Sequence, residues 1–510
     1  LPVEAGRVDV RRLLPGTVPG QPGVLPRPEE RAETLCLHFL RAERYLEAWK
    51  YARLAGDRAR EKAANVDAAG FYRQALDAAQ LSGQARPDEV AALAEKLGDV
   101  CEIAGLYQDG LRAYRTARRV RAGMGTVPPD LFRKEGLVQE RLGRYPKAEA
   151  LYRQGLRVAA SMTDEEEAAR SRARVQVAMA GALQYEGRLR AGLWWARKGA
   201  RLAAEHDVMD VLAHAYYLID NAYTDLGDQA AAKEYRGLAL PIYQQLGDLI
   251  GQVKVLNNLG ANAYLEGQWN EAIAFYERGL DAAERAGDTV HVAMLSTNIA
   301  EVLLQQGHHE EAERLLKEAL QTQRGTGHRI GEAWSQFNLG VSAARAGRTE
   351  EAYNLLTQAR EKFSEMGAES YVLEVSARLA EVHLVAGDHR SARATLSRAM
   401  RDVEARGGLV LEALMRRLQA YALLQAGDPD QALAVLERSC YVAEMANATY
   451  ELALTLDAMW RFGEVLGRPR PEERRRASSL LEDLGVVRTP VIPLPSDVEP
   501  AASGSHGLRN

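Results

Sequence analysis

Little in this sequence lends itself to covalent chemistry. Its 510 residues hold only three cysteines, Cys36, Cys101 and Cys440. They are odd in number and far apart, which excludes a disulfide framework and a paired-cysteine metal motif and fits a reduced, cytoplasmic setting. The dipeptide Gly-Lys does not occur. A GxxxxGK[ST] phosphate loop is therefore excluded, and neither a cofactor nor a resident metal is expected. No apolar run approaches the roughly 18–20 residues that span a bilayer, and nothing resembles a signal peptide. Aromatic residues make up only 6%, and the formal charge is −5. A charge so small for this length supplies no field for nucleic acid or an anionic membrane, and neither is expected as a partner. The chain opens on Leu1 rather than methionine, which fits a fragment of something longer.

What is present is a period. Gly187, Gly227, Gly267, Gly307, Gly347, Gly387 and Gly427 stand 40 apart without a slip. Five residues after each from Gly227 onward comes alanine: Ala232, Ala272, Ala312, Ala352, Ala392 and Ala432. Seven residues before the same glycines lie Gly260, Ala300, Gly340, Ala380 and Ala420, with Asp220 the exception. Halfway between runs a second series of breaks, Gly247, Gly287, Gly327, Gly367 and Gly407, then Asn447. Apolar residues at helical spacing, such as Ile273, Tyr276 and Leu280, complete a unit of two amphipathic helices joined by a glycine turn. One such unit cannot bury its own apolar faces, so neighbours must stack into a solenoid. The expectation is an all-α, right-handed α-α superhelix of about eleven repeats of roughly 40 residues.

The organisation then reads as an irregular Pro/Gly-rich segment over 1–28, the solenoid over 29–447, capping helices over 448–485 and a disordered tail over 486–510. Upstream of the regular columns, turns are expected at Gly105 and Gly143. The strings "LCLHFLRAERYLEAWKYARLAGDRA" and "ANVDAAGFYRQALDAA" read as two further helical pairs. Pro146 and Pro429 fall at helix starts, whereas Pro241 falls inside a helix.

The string "NNLGANAYLEGQWNEAIAFYERGL" resembles a tetratricopeptide repeat in a 40-residue form. Over residues 29–467, strings such as "LGDVCEIAGLYQDGLRAYRTARR" and "LGDLIGQVKVLNNLGANAYLEGQWNEA" resemble one bacterial family more narrowly. It is the C-terminal repeat region of actinobacterial-type adenylate/guanylate cyclases with an AAA/STAND-like ATPase module. The resemblance implies a sensory or regulatory arm, with the nucleotide chemistry in domains upstream. The Pro/Gly-rich start departs from the Arg-rich helical end of the ATPase module implied there.

Catalytic candidates carry less weight than their packing alternatives. His308 and His309, followed by Glu310 and Glu311, have the wrong spacing for HExxH and read as a solvated turn. Glu301 and Glu381 share one repeat position and read as solvated or salt-bridged surface. Cys440 sits at an apolar second-helix position and reads as core. The basic stretches 114–123 and 468–476 read as solvated faces.

Recognition is placed on the first helices, which line the groove in this kind of repeat. Asn258, Asn298 and Asn338 stand one repeat apart and could ladder along an extended peptide. Alternatively they bond to the neighbouring repeat and only order the stack. Tyr217, Asn221, Tyr264, Trp334, Phe337 and Tyr421 lie nearby as anchors, or as ordinary inter-repeat packing. The cationic clamp of repeats that hold chaperone carboxylates is absent, for its spots read Asn257, Ala261, Asn298, Trp334 and Asn338. The expected function is a non-catalytic scaffold that binds a protein or peptide segment, or an upstream ATPase module of the same polypeptide. The alternatives are a free-standing adaptor or transcription-linked regulator, and an enzyme with a site in the groove.

Overall fold

The structure is a computed structural model describing residues 31–495, so the expectations for residues 1–28 lie outside the described residues. Among the described residues there are 23 helices and no strand. The chain divides into two compact units, Leu1–Ala232 and Lys233–Asn510. The division falls in the repeat whose columns are least regular, where Asp220 replaces the small residue and Pro241 stands within a helix.

In the first unit α1 (Ala32–Arg41) precedes four pairs. These are α2 (Tyr45–Glu61) with α3 (Asn65–Ser82), α4 (Pro87–Ile103) with α5 (Tyr107–Gly123), α6 (Pro129–Arg141) with α7 (Tyr145–Ala160), and α8 (Glu165–Tyr185) with α9 (Leu189–Glu205). Helix α10 (Met209–Asp225) follows, and α11 (Gln229–Leu246) carries both the division and Pro241. The two pairs expected over residues 29–82 are thus three helices. "ANVDAAGFYRQALDAA" holds no turn, because Gly70 stays helical within α3.

In the second unit α12 (Leu249–Leu265) pairs with α13 (Trp269–Ala286) and α14 (Thr289–Gln306) with α15 (His309–Thr326). Next come α16 (Arg329–Arg345) with α17 (Thr349–Glu365), and α18 (Glu369–Val385) with α19 (His389–Arg406). Helices α20 (Leu409–Gln425) and α21 (Pro429–Met445), then α22 (Thr449–Val465) and α23 (Pro471–Asp483), complete the series.

Each column has a mechanical cause. The turn glycines adopt left-handed φ, +77° at Gly267 and +93° at Gly307, and the next residue's N–H returns to a carbonyl five positions back. This geometry closes a helix while satisfying its last carbonyls. The second series does the same with Asn447 at +49°. Asp207, at +52°, belongs to that series too, although no glycine marks it in the sequence. Five helices after these breaks start on an aspartate cap, as where Asp288 accepts from His291 N–H at 3.1 Å. The alanine column is fully buried at every position from Ala232 to Ala432.

Residues 486–495 differ from the expected disordered tail. Val487 N–H donates to Gln306 O at 2.8 Å, and Gln306 Nε2 donates to Leu484 O at 3.1 Å. Further on, Gln425 Nε2 bridges Leu384 O and Pro493 O at 3.1 and 2.9 Å. Ile492 and Leu494 are buried within the core of α18–α22. The segment therefore straps the second unit, because burial of two aliphatic side chains outweighs the ordering of a short extended stretch.

Candidate functional site

The first helix of every pair in the second unit contributes to one cavity of about 430 Å³. The repeat geometry explains the convergence, since equivalent faces of successive first helices turn inward together. Tyr264 and Leu265 come from α12, Glu301 and Leu304 from α14, Phe337, Asn338 and Val341 from α16, and Glu374 and Arg378 from α18. Leu411 and Leu414 of α20, Tyr450 and Glu451 of α22, and Leu484 close the remaining side.

One wall is aromatic. Tyr264 stacks on Trp269 at 5.9 Å and 17°, and Trp269 lies against Tyr450 at 5.0 Å. The Trp269 indole N–H is spent on Tyr264 O at 3.2 Å. Beside this wall stand two carboxyls, Glu301 and Glu374. Burial, and then the neighbouring Glu374 charge, push the Glu301 carboxyl up to about 7, against the hydrogen bond from Tyr264 and the pull of Arg378. Burial pushes Glu374 upward as well, with Arg378 opposing. Desolvation of a charged form has this sign whenever no counter-ion offsets it.

The cations nearby are engaged elsewhere. Arg378 Nη1 donates to Glu381 at 2.8 Å, and Arg417 donates to Glu451 at 2.8 Å, both pairs buried. Arg345 donates to Leu304 O at 2.6 Å and Gln305 Oε1 at 2.9 Å. Among the described residues no ion pair within 4.0 Å reaches Glu301 or Glu374. Three buried polar atoms of cavity residues also have no hydrogen-bond partner: Asn338 Nδ2, Arg378 Nε and the Tyr450 hydroxyl.

The sequence-expected residues divide sharply. Tyr264, Phe337 and Asn338 line the cavity. Trp334 does not; it is locked among Phe337, Phe363 and Tyr371 at 5.2, 5.5 and 4.8 Å. Tyr421 is buried edge-on against Phe462 at 5.0 Å. Neither is an exposed anchor, because each fills the gap between successive repeats. Asn298 Nδ2 donates to Asn257 Oδ1 at 2.9 Å, so this rung joins neighbouring repeats. Asn258 is half-buried on α12 and does not line the cavity. Tyr217 and Asn221 belong to the first unit, where they bond to each other and Tyr217 stacks on His214 at 6.1 Å.

Glu301 and Glu381 correct the surface reading, for one lines the cavity and the other is buried against Arg378. Glu374 was legible by its column, where Met294, Trp334 and Leu414 hold the equivalent positions. A carboxylate where the neighbouring repeats on either side carry Trp334 and Leu414 is a signal of a lined interior, although Lys254 makes the column mixed further back. Arg378 likewise continues the column of Asn258, Asn298 and Asn338. Of the two turn histidines, His308 is exposed, while His309 is half-buried and faces Arg345 and Arg488. Among the described residues no group of three or more His, Cys, Asp or Glu could hold a metal ion, and no helix is long and apolar enough to cross a membrane.

Comparison with known proteins fits this geometry. Residues 291–365 match a family model of the tetratricopeptide repeat, and residues 374–398 and 414–438 match a second model of that repeat. The chain therefore carries tetratricopeptide repeats. No curated protein matches it. Among solved structures, a Rap protein complexed with Competence and Sporulation Factor is 16% identical, with a TM-score of 0.51 over 70% of this chain and 98% of its own. Aspartyl phosphate phosphatase F from Bacillus subtilis is 14% identical, with a TM-score of 0.44 over 71% and 96%. A STAND protein with a tetratricopeptide repeat sensor, from Pyrococcus horikoshii, is 15% identical, with a TM-score of 0.47 over 76% and 55%. The first of these shares the helical-repeat fold.

Proposed function

We propose that this chain is a non-catalytic tetratricopeptide scaffold that takes up a segment of a protein or peptide partner in the second unit. The observation that carries the reading is the cavity of about 430 Å³ onto which six first helices converge. Its size and mixed aromatic and polar lining are those of a recognition pocket. A solved structure of the same fold is complexed with Competence and Sporulation Factor, which supports recognition of a factor by such repeats. The cysteines support a non-catalytic role. Burial pushes the Cys36 and Cys101 thiols up to about 11 and Cys440 to about 12. A nucleophilic thiol requires the opposite shift. In this reading the scaffold is the sensory arm of a signalling ATPase or nucleotide cyclase whose ATPase module lies upstream.

The test is a peptide array probed with the purified chain and with Leu411→Trp, whose larger side chain intrudes on the cavity. Peptide binding that Leu411→Trp abolishes at an unchanged melting temperature supports the scaffold. Nucleotide turnover by the chain, or peptide binding indifferent to the substitution, overturns it. A phosphate-binding loop in the coding sequence upstream of Leu1 would support the ATPase arm, and a stop codon there would remove it.

A further inference from the structure

We propose that the cavity of the second unit recognises a primary ammonium with an acceptor oxygen close by, as in an unblocked peptide N-terminus. This rests on the scaffold reading and names the chemistry of what enters. Three independent features of the cavity converge on it.

The first is uncompensated negative charge. Glu301 and Glu374 line the cavity without an ion-pair partner, while Arg378, Arg417 and Arg345 are held by Glu381, by Glu451 and by the Leu304–Gln305 end of α14. Two half-buried carboxyls lining one cavity favour a cation that can enter, because it offsets the cost of desolvating their charged forms. The second is the wall of Tyr264, Trp269 and Tyr450, a surface of ring faces and edges that attracts an ammonium more than a neutral group of equal size.

The third is the set of unsatisfied donors. Asn338 is 3% exposed and belongs to the cavity lining, and its buried Nδ2 has no partner. Arg378 Nε is unsatisfied there too. Buried donors left unpaired are costly, so an occupant with an acceptor gains when these side chains turn toward it. Acidic side chains alone would serve any cation. Carboxyls and empty donors in one cavity describe a ligand with both an ammonium and a carbonyl or carboxylate oxygen. A quaternary ammonium, which offers no N–H to the carboxyls, fits less well. A free amino-acid amide and a peptide N-terminus share the required chemistry.

Ammonium binding also displaces a proton. The groups facing Glu301 are Tyr264 of α12, Tyr276 of α13, and Glu374 and Arg378 of α18. Glu451 of α22 faces Glu374 across the cavity. With its carboxyl pushed up to about 7, Glu301 is part-protonated at neutral pH, and an ammonium beside it drives that proton off. Affinity therefore rises from pH 6 towards pH 7 and falls again above about pH 8, where an α-amino group loses its own proton.

The test uses the full chain and calorimetric titration with phenylalaninamide, N-acetylphenylalaninamide, 3-phenylpropanamide and a Phe-Leu-Gly tripeptide with a free or acetylated N-terminus. Both free-amine probes should bind roughly tenfold or more tightly than their acetylated or deaminated counterparts. The preference should vanish in Glu301→Gln/Glu374→Gln, with its melting temperature at least that of the parent at pH 8. Titrations in two buffers of different ionisation enthalpy should report proton release that falls away in Glu301→Gln. If only the tripeptide binds, the source is a peptide; if phenylalaninamide binds as well, the site reads the amino-acyl group alone. Equal binding of amine and blocked probes, an unchanged preference in the double variant, or no binding of any probe overturns the proposal. The scaffold reading survives that failure if array peptides still bind the parent and are lost with Leu411→Trp.

Discussion

The ring of Tyr276 occupies the space that a β-carbon on Gly260 would need, with the nearest ring atom 2.4 Å from that position. The two residues stand sixteen apart on the facing helices α12 and α13. The same spacing brings Tyr72 onto Gly56, Tyr114 onto Gly98 and Tyr152 onto Gly136 in the first unit. There the tyrosine hydroxyls reach Asp57, Asp99 and Glu140. The small-residue column is thus the receptor for a side chain of the second helix. Gly260→Ala should overpack this contact and cost about 1–3 kcal/mol. Gly70→Ala, where an added β-carbon meets nothing within 4 Å, should instead stabilise by about 0.4–1 kcal/mol. Denaturant melts of the two variants check the contrast in sign.

Arg417 and Glu451 form a buried pair whose side chains are 4% and 8% exposed. Removing one partner leaves the other charge buried without compensation. Glu451→Gln should therefore destabilise the second unit by roughly 3–5 kcal/mol. Exposed pairs such as Arg475–Glu472 should contribute less than about 1 kcal/mol when broken. Hydrogen exchange along α20 and α22 reports the difference locally.

Two groups give the unoccupied protein opposite responses to pH. The Glu301 carboxyl is raised to about 7 in the fold from 4.5, so the folded state holds a proton that the unfolded chain has lost. Its contribution falls as pH rises from about 4.5 to about 7. Burial, then Arg345 and Arg488, press His309 down to about 4 from 6.5, so between those values the unfolded chain binds the extra proton. That contribution rises with pH across the window. Melting temperatures of Glu301→Gln and His309→Gln, each measured from pH 4 to 8 against the parent, should lose the falling and the rising component respectively.

The strap anchors by Ile492 and Leu494, which are 1% and 5% exposed. Ending the chain after Arg488 removes both, together with the Gln425–Pro493 bond. The loss should be about 3–6 kcal/mol as an upper bound. It should appear as faster hydrogen exchange in α18 and α20, with the first unit unchanged.

Asn298 tests which role the asparagine column serves. Asn298→Ala removes its bond to Asn257 and should cost about 0.5–1.5 kcal/mol of stability. Binding of the amine probes should not change. Asn338→Leu should do the reverse, weakening the probes roughly tenfold with little change in melting temperature.

Over the regular forty-residue columns the sequence by itself determined the helices, their ends and the stack. Those features are local and periodic: a left-handed turn selects glycine or asparagine, and close helix contact selects alanine or glycine. A forty-residue period therefore writes them plainly. It also placed Tyr264, Phe337 and Asn338 on an inward face, because their register follows from the same period. Which inward residues meet was decided by tertiary structure. Trp269 and Tyr450 stand more than four repeats apart in sequence yet touch. Glu301 and Glu374 become neighbours only when α14 and α18 face one cavity. Trp334 and Tyr421 look like anchors in the sequence, but the gaps between repeats claim their rings. Glu301 reads as solvated or salt-bridged surface in the sequence because helix periodicity cannot tell a wet face from an enclosed one. That distinction depends on what closes the far side, and here it is α22 and Leu484.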